Sequence, residues 1–295
     1  MHNARKIFFV FALASLILAC DLSGTPAPSG GGVATVVAAT IQALTPAASV
    51  PAPTASVTGI PVTYKNVSFV LPTGLAADAA PQTVPLATDQ TGGPWDAAPE
   101  HIDFRLDSYN VPANSFSLVQ IDVYPAQAYA DQNGGANISL QRLKGVLGNP
   151  SSALTNNTLP QVPYFNAASM FAAQVQRIHF ANGDGVRMLT QYGQAVGPAA
   201  NNNIFYHFQG LTSDGKYYIV AVLPVNAPIL QNGNDPSAAL PAGGVPFPGY
   251  NMTDPKVFDD YFAAVSSKLD AIPPDQFTPS LASLDALVQS FKVGP

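Results

Sequence analysis

The chain has one cysteine, Cys20, and one glutamate, Glu100, in 295 residues. Only 10% of its residues are charged, well below the usual quarter. A single thiol cannot form an intrachain disulfide or a multi-cysteine zinc site, so the fold must rest on its apolar core. The 12 basic residues are outnumbered by 18 acidic ones, which argues against a nucleic-acid partner and against a polybasic lipid patch. His2, His101, His179 and His207 lie far apart. With no His-Glu-x-x-His and no EF-hand loop, neither a metal nor a cofactor is expected. There is no Gly-x-Ser-x-Gly elbow and no glycine-rich phosphate cradle ahead of a helix. Asp131-Gln132-Asn133-Gly134-Gly135 starts like a calcium loop but lacks the later acidic ligand; it reads as a Gly/Asn-rich loop.

What is present begins at the N-terminus. Arg5 and Lys6 precede an apolar run, Ile7 to Ala19, interrupted only by Ser15 and closed by Cys20. Thirteen residues are too short for a span of roughly 20 and suit the hydrophobic region of a secretory signal. Leu16-Ile17-Leu18-Ala19-Cys20 resembles the lipobox of bacterial lipoproteins, with Leu18 standing where a small residue is commoner. The resemblance implies cleavage after Ala19 and diacylglyceryl and fatty-acyl (palmitate-type) groups on Cys20. The thiolate is the competent nucleophile for such alkylation. Each buried methylene adds about 0.8 kcal/mol, so two or three chains anchor firmly where one binds only marginally. The expected location is the extracytoplasmic side of a cell membrane. An ordinary cleaved signal or an uncleaved signal anchor remain the alternatives. Asp21 implies inner-membrane retention if the organism has two membranes like the enterics, and has no sorting meaning if it has one.

Three segments follow: a signal peptide at 1–19, a lipidated cysteine with a Pro/Gly/Ala/Thr-rich tether at 20–60, and one globular domain at 61–295. Removing residues 1–19 leaves 10 basic against 18 acidic residues, a formal charge of −8. Residues 23–32 and 45–59 have no core-forming pattern, which favours solvated chain. The apolar stretch 33–44 between them reads as spacer or as a transient helix.

Within the domain, Val62 to Leu71 predicts short strands turning at Lys65-Asn66. Residues 72–100 read as an irregular excursion. His101–Leu106 predicts a strand with one wet face bearing Asp103, and Phe116–Tyr124 predicts another. Ala126–Tyr129 and Ile138–Leu147 read as helical. Ser169–Phe180 and Val186–Tyr192 predict a hairpin turning through Asn182-Gly183-Asp184-Gly185, with Phe180 opposite Arg187, Ile178 opposite Leu189 and Val175 opposite Tyr192. Ile204–Gly210 and Lys216–Leu223 predict a second hairpin, whose return strand is apolar on both faces and therefore central. Residues 225–253 read as a Pro/Gly-rich loop. Helices are expected from Thr253-Asp254-Pro255 to before Pro273 and from Ser280 to about Ser290.

The resulting expectation is an α+β domain: an antiparallel sheet of six or seven strands with helices packed on one side. The opening Asn66-Val67-Ser68-Phe69-Val70-Leu71-Pro72 and the closing Leu284-Asp285-Ala286-Leu287-Val288-Gln289-Ser290-Phe291-Lys292 resemble the first strand and last helix of PsbP-like domains. This covers under a tenth of the chain and implies a docking scaffold, with no active residue carried across.

Two candidate sites follow from the strand assignments. The predicted register places Arg177 and His179 on one face with Thr190 and Tyr192 opposite, and His207 beyond them. Such a set suits an anionic or sugar-like ligand held by charge-assisted hydrogen bonds; a plain polar sheet face, or His179 hydrogen-bonded inside a mixed core, is the commoner origin of such a set. Asp103, Asp107 and Asp122 are the acids that neighbouring strands can bring together, as paired-carboxylate hydrolysis requires. The leading expectation is a non-catalytic binding or accessory module whose partner is an envelope protein or a small solute. The alternative is an extracytoplasmic hydrolase using sheet carboxylates. A transporter's two-lobed solute-binding subunit is disfavoured by the antiparallel pattern.

Overall fold

The computed structural model describes residues 58–88, 93–110, 115, 117, 119–163, 166–250 and 254–295. Cys20, the signal and nearly all of the tether lie outside these residues, as do Phe116, Leu118 and Thr253. Among the described residues no helix is long and apolar enough to cross a membrane.

Seven antiparallel strands form the main sheet. They are β3 (Asp78–Val84), β4 (His101–Asp107), β5 (Gln120–Pro125), β7 (Ala173–Phe180), β8 (Gly183–Thr190), β10 (Phe205–Thr212) and β11 (Tyr217–Pro224), in the order β3-β4-β5-β11-β10-β8-β7. A second sheet joins the two ends of the domain, with β2 (Val67–Pro72) between β1 (Gly59–Tyr64) and β12 (Lys292–Val293). β6 (Ala168–Ser169) and β9 (Tyr192–Gly193) make a short ribbon. The class is α+β, as expected.

β11 is central, and its alternate side chains enter different cores. Ile219, Ala221 and Leu223 pack with the small sheet and the C-terminal helices, while Tyr218 and Val220 pack under α1 (Ala126–Gln132) and α2 (Gly134–Gly148). Helices therefore cover both faces of the sheet, where the periodicity had suggested one. Phe69 is the hinge pin of the first core, stacked on Phe291 at 4.4 Å and edge-on to Phe104 at 5.0 Å. α4 (Leu281–Gln289) buries Leu281, Leu284, Leu287 and Val288 there, and Ser280 caps it by accepting from the Ser283 amide. α3 (Lys256–Asp270) starts where Asp254 Oδ1 accepts from the Lys256 amide, and buries Tyr261, Phe262, Val265 and Leu269.

Three local expectations are corrected. The excursion 72–100 contains β3, an edge strand that tolerates Pro81 because it pairs only with β4. The β7–β8 loop is Ala181-Asn182, so Gly183 and Gly185 belong to β8. They are glycines because a Cβ would lie 2.2 Å from the Phe180 ring at Gly183 and 2.5 Å from the Phe208 ring at Gly185. The Asp131–Gly135 stretch is a junction of two helices: Asn133 Oδ1 accepts from the Gly135 and Ala136 amides and starts α2.

Candidate functional site

The tighter turn changes the partners across the first hairpin. Arg177 pairs with Val186 and His179 with Asp184, and a bulge between Ala173 and Gln176 shifts the pairing beyond. The four residues proposed as one site are thereby separated. Arg177 Nη2 donates to Ser152 O and Oγ, both at 3.0 Å, and pins the loop after α2. His179 is 76% exposed and meets Asp184 at 2.9 Å. Thr190 is fully buried, with Oγ1 donating to Phe171 O at 2.7 Å. Tyr192 alone of the four lines an open cleft. His207 sits in the helix-covered core. Its Nε2 is 2.7 Å from the Gln209 amide, whose oxygen accepts from Ser139 and Tyr218; burial lowers the His207 pKa to about 4. It is a neutral structural histidine.

Two of the three candidate carboxylates meet, while Asp107 is exposed at the end of β4, opposite Asp78. Asp103 and Asp122 are directly opposite on β4 and β5, where like charges repel. The expected wet face is buried: Asp103 is 0% and Asp122 3% exposed. Asp103 Oδ2 accepts from Gln82 Nε2 at 2.7 Å and Arg105 Nε at 2.6 Å, while its Oδ1 has no partner. Asp122 accepts from Gln120 at 2.9 Å. Burial, reinforced by the Asp103 charge, raises the Asp122 pKa to about 7. His101 lies 3.7 Å from Asp122, too far for a hydrogen bond. Desolvation lowers its pKa, against the hydrogen bond of its Nδ1 to Pro99 O. The neighbourhood is closed by stacked Tyr124 and Tyr129, 4.1 Å apart, and by residues 93–98. Residues 93–98 are tied down by the Ala87–Ala98 bridge and by Asn133 Nδ2 donating to Pro94 O and Ala97 O. A polymer cannot reach the pair in this state.

A second buried ion pair lies on the opposite face. Arg187 meets Asp285 at 3.2 Å, Tyr206 donates to the same carboxylate at 2.9 Å, and Arg187 also donates to Gln176 Oε1 and Gln174 O. It adjoins a concavity of about 480 Å³ beside the β7 bulge, where Gln174 has φ +51°. Here the guanidinium is matched by Asp285 and by the bulge, so little charge remains for a ligand. Its work is to tie α4 to the sheet.

A further concavity with convergent polar groups is the cleft beside Tyr192, about 280 Å³ in volume. Gln191, Gln194, Asn203, Asn234 and Tyr250 line it with Tyr192, and none of its ten lining residues is charged. Its walls are fixed from behind. Gln191 Nε2 donates to Pro198 O at 3.1 Å while its Oε1 accepts from the Ala200 amide at 3.2 Å. Buried Asn201 bonds Ala227 and Leu230, and Tyr261 Oη accepts from the Ala199 amide. At the rim Asn203 Nδ2 donates to Asn234 Oδ1 at 2.6 Å. Tyr250, 58% exposed, is held edge-on by Phe247 at 5.1 Å, and Phe247 rests on Tyr261 at 5.3 Å. No motif marks this cleft in the sequence, because its residues come from two separate stretches, 191–203 and 234–250. The exposed tyrosine among Asn, Pro and Gly was the one signal available.

Among the described residues no group of three or more His, Cys, Asp or Glu side chains is placed to hold a metal ion. No protein-family model, curated protein or solved structure matches the chain.

Proposed function

We propose that this chain is a lipid-anchored extracytoplasmic lipoprotein whose domain is a non-catalytic binding or accessory module. Signal cleavage leaves Cys20 as the acylated N-terminus, and the 20–60 segment joins it to the domain. Support for the anchor comes from Arg5 and Lys6, the short apolar run and Leu16-Ile17-Leu18-Ala19-Cys20. Support for binding over catalysis comes from one contrast. The acids that register brings together, Asp103 and Asp122, are enclosed, whereas the cleft beside Tyr192 is open, rigidly backed and uncharged. Binding sites of this kind are largely pre-formed concavities with a few placed polar groups. The resemblance to PsbP-like domains favours an accessory role in the same direction.

A hydrolase built on Asp103 and Asp122 is the competing reading. Its support is that the two environments differ, one acid paired with Arg105 and the other carrying a raised pKa near 7, the split that acid–base pairs need. Enclosure of both acids counts against it.

Intact mass measurement of the native protein, with fractionation of wild type and Cys20→Ser, tests the anchor. The expected result is a mature chain starting at acylated Cys20, and release of Cys20→Ser from the membrane fraction. An unmodified thiol, or a mature start elsewhere, overturns it.

A further inference from the structure

We infer that the cleft between Tyr192 and Tyr250 is a subsite for a neutral pyranoside, one or two sugar rings of an uncharged oligosaccharide. This rests on the binding-module reading and names its ligand class. Four observations converge on it.

First, the lining carries no charged side chain, in a chain whose formal charge is −6. An anionic ligand would find no cation there and meet an unfavourable surrounding field. A cationic ligand would find no carboxylate.

Second, the polar groups present are amides in a useful order. Asn203 uses its Nδ2 and Asn234 its Oδ1 in their mutual hydrogen bond. That arrangement leaves Asn203 Oδ1 as an acceptor and Asn234 Nδ2 as a donor outside their mutual bond, on two residues that line the cleft. A sugar hydroxyl both donates and accepts, so a vicinal diol answers this pair. Gln194, exposed on the same lining, adds a second donor and acceptor.

Third, Tyr250 is exposed to solvent and is held edge-on by Phe247, which in turn packs on Tyr261. An exposed tyrosine on a supported aromatic column offers large contact area at low entropic cost. A pyranose has a flat C–H face that matches it; a linear polyol has the hydroxyls without that face.

Fourth, the volume of about 280 Å³ lies just below the usual range for drug-sized ligands. It accommodates a short stretch of sugar, with the rest of a chain running out into solvent. The buried amides Gln191 and Asn201 have both ends committed to backbone groups. The walls are therefore set before a ligand arrives, which lowers the ordering cost of binding.

The test is calorimetric titration of the full-length chain in detergent micelles with cellotetraose, maltotetraose, tetragalacturonate and sorbitol, with product analysis after prolonged incubation. At least one neutral tetrasaccharide is expected to bind with a Kd on the order of 1 mM or tighter, and the uronate and the linear polyol are not. Tyr250→Ala is expected to weaken binding about tenfold, the scale of one lost aromatic contact. Asn203→Ala and Asn234→Ala are each expected to weaken it about fivefold, the scale of one hydrogen bond. Circular dichroism identical to wild type keeps these losses local. Failure of both neutral sugars to bind overturns the ligand class, as does binding that Tyr250→Ala and Asn203→Ala leave unchanged or equal binding of sorbitol. None of those results touches the binding-module reading. Release of shorter sugars from a bound tetrasaccharide would instead uphold the ligand class and overturn the non-catalytic reading.

Discussion

The β4–β5 end of the sheet and the loops around Tyr250 divide the polar chemistry of this domain in opposite ways. At β4–β5 the polar groups are ionisable and enclosed: Asp103 and Asp122 are both buried, with Arg105 alongside. Around Tyr250 they are neutral and open. An enclosed charge is answered by protein neighbours or by a proton, so it speaks about stability. An open set of amides is answered by water or by a ligand, so it speaks about recognition. Acids that strand register brings together are thus not thereby open to a ligand.

The strongest way to break the contrast is through pH. The folded pKa of Asp122, about 7, lies above the roughly 3.9 of an unfolded aspartate. Between those values the folded chain holds a proton that the unfolded chain has released. Stability should therefore fall as pH rises from about 4 to about 7 and level off above, by at most about 4 kcal/mol from this group. Denaturant unfolding of wild type against Asp122→Asn checks it, the variant losing that slope and being the more stable of the two at pH 8. Next in size is Arg105→Ala. It removes one of two donors to the Asp103 carboxylate and should cost about 2 kcal/mol at neutral pH, less than a fully buried pair because Arg105 is 38% exposed.

On the cleft side the effects on stability are smaller. Gln191→Ala strands the Ala200 amide and the Pro198 carbonyl and should cost about 1 kcal/mol. It should also loosen the wall, seen as faster amide exchange across 197–200. Tyr250→Ala should change stability by less than about 0.5 kcal/mol, as for other exposed side chains, and alter binding alone. Equal stability losses at positions 105 and 250 would erase the distinction between the two regions.

Much of the fold was legible from periodicity. β4, β5, β10 and β11 announced themselves by alternation or by a continuous apolar run, and α3 and α4 by Asp254 and Ser280 at their starts. The failures have definite causes. β3 is Ala-rich and carries Pro81, which is compatible only with an edge. Gly183 and Gly185 were read as turn residues when Phe180 and Phe208 demand them for space. That error moved the register and assembled a site from Arg177, His179, Thr190 and Tyr192, residues that the fold keeps apart. Asp103 alternates with Ile102 and Phe104 as an exposed residue should, yet packing from α1 and residues 93–98 covers that face too. A second covering layer leaves no trace in the period of one strand. The Tyr250 cleft was invisible because loops from distant positions make it, and long-range closure is written in no local pattern.

The central claim is that recognition belongs to the open neutral cleft and not to the enclosed acid pair. Parallel titration of a neutral tetrasaccharide into full-length Asp122→Asn and Tyr250→Ala tests it most directly. The account predicts wild-type affinity for Asp122→Asn and about tenfold weaker binding for Tyr250→Ala. Loss of binding in Asp122→Asn with full retention in Tyr250→Ala would contradict it.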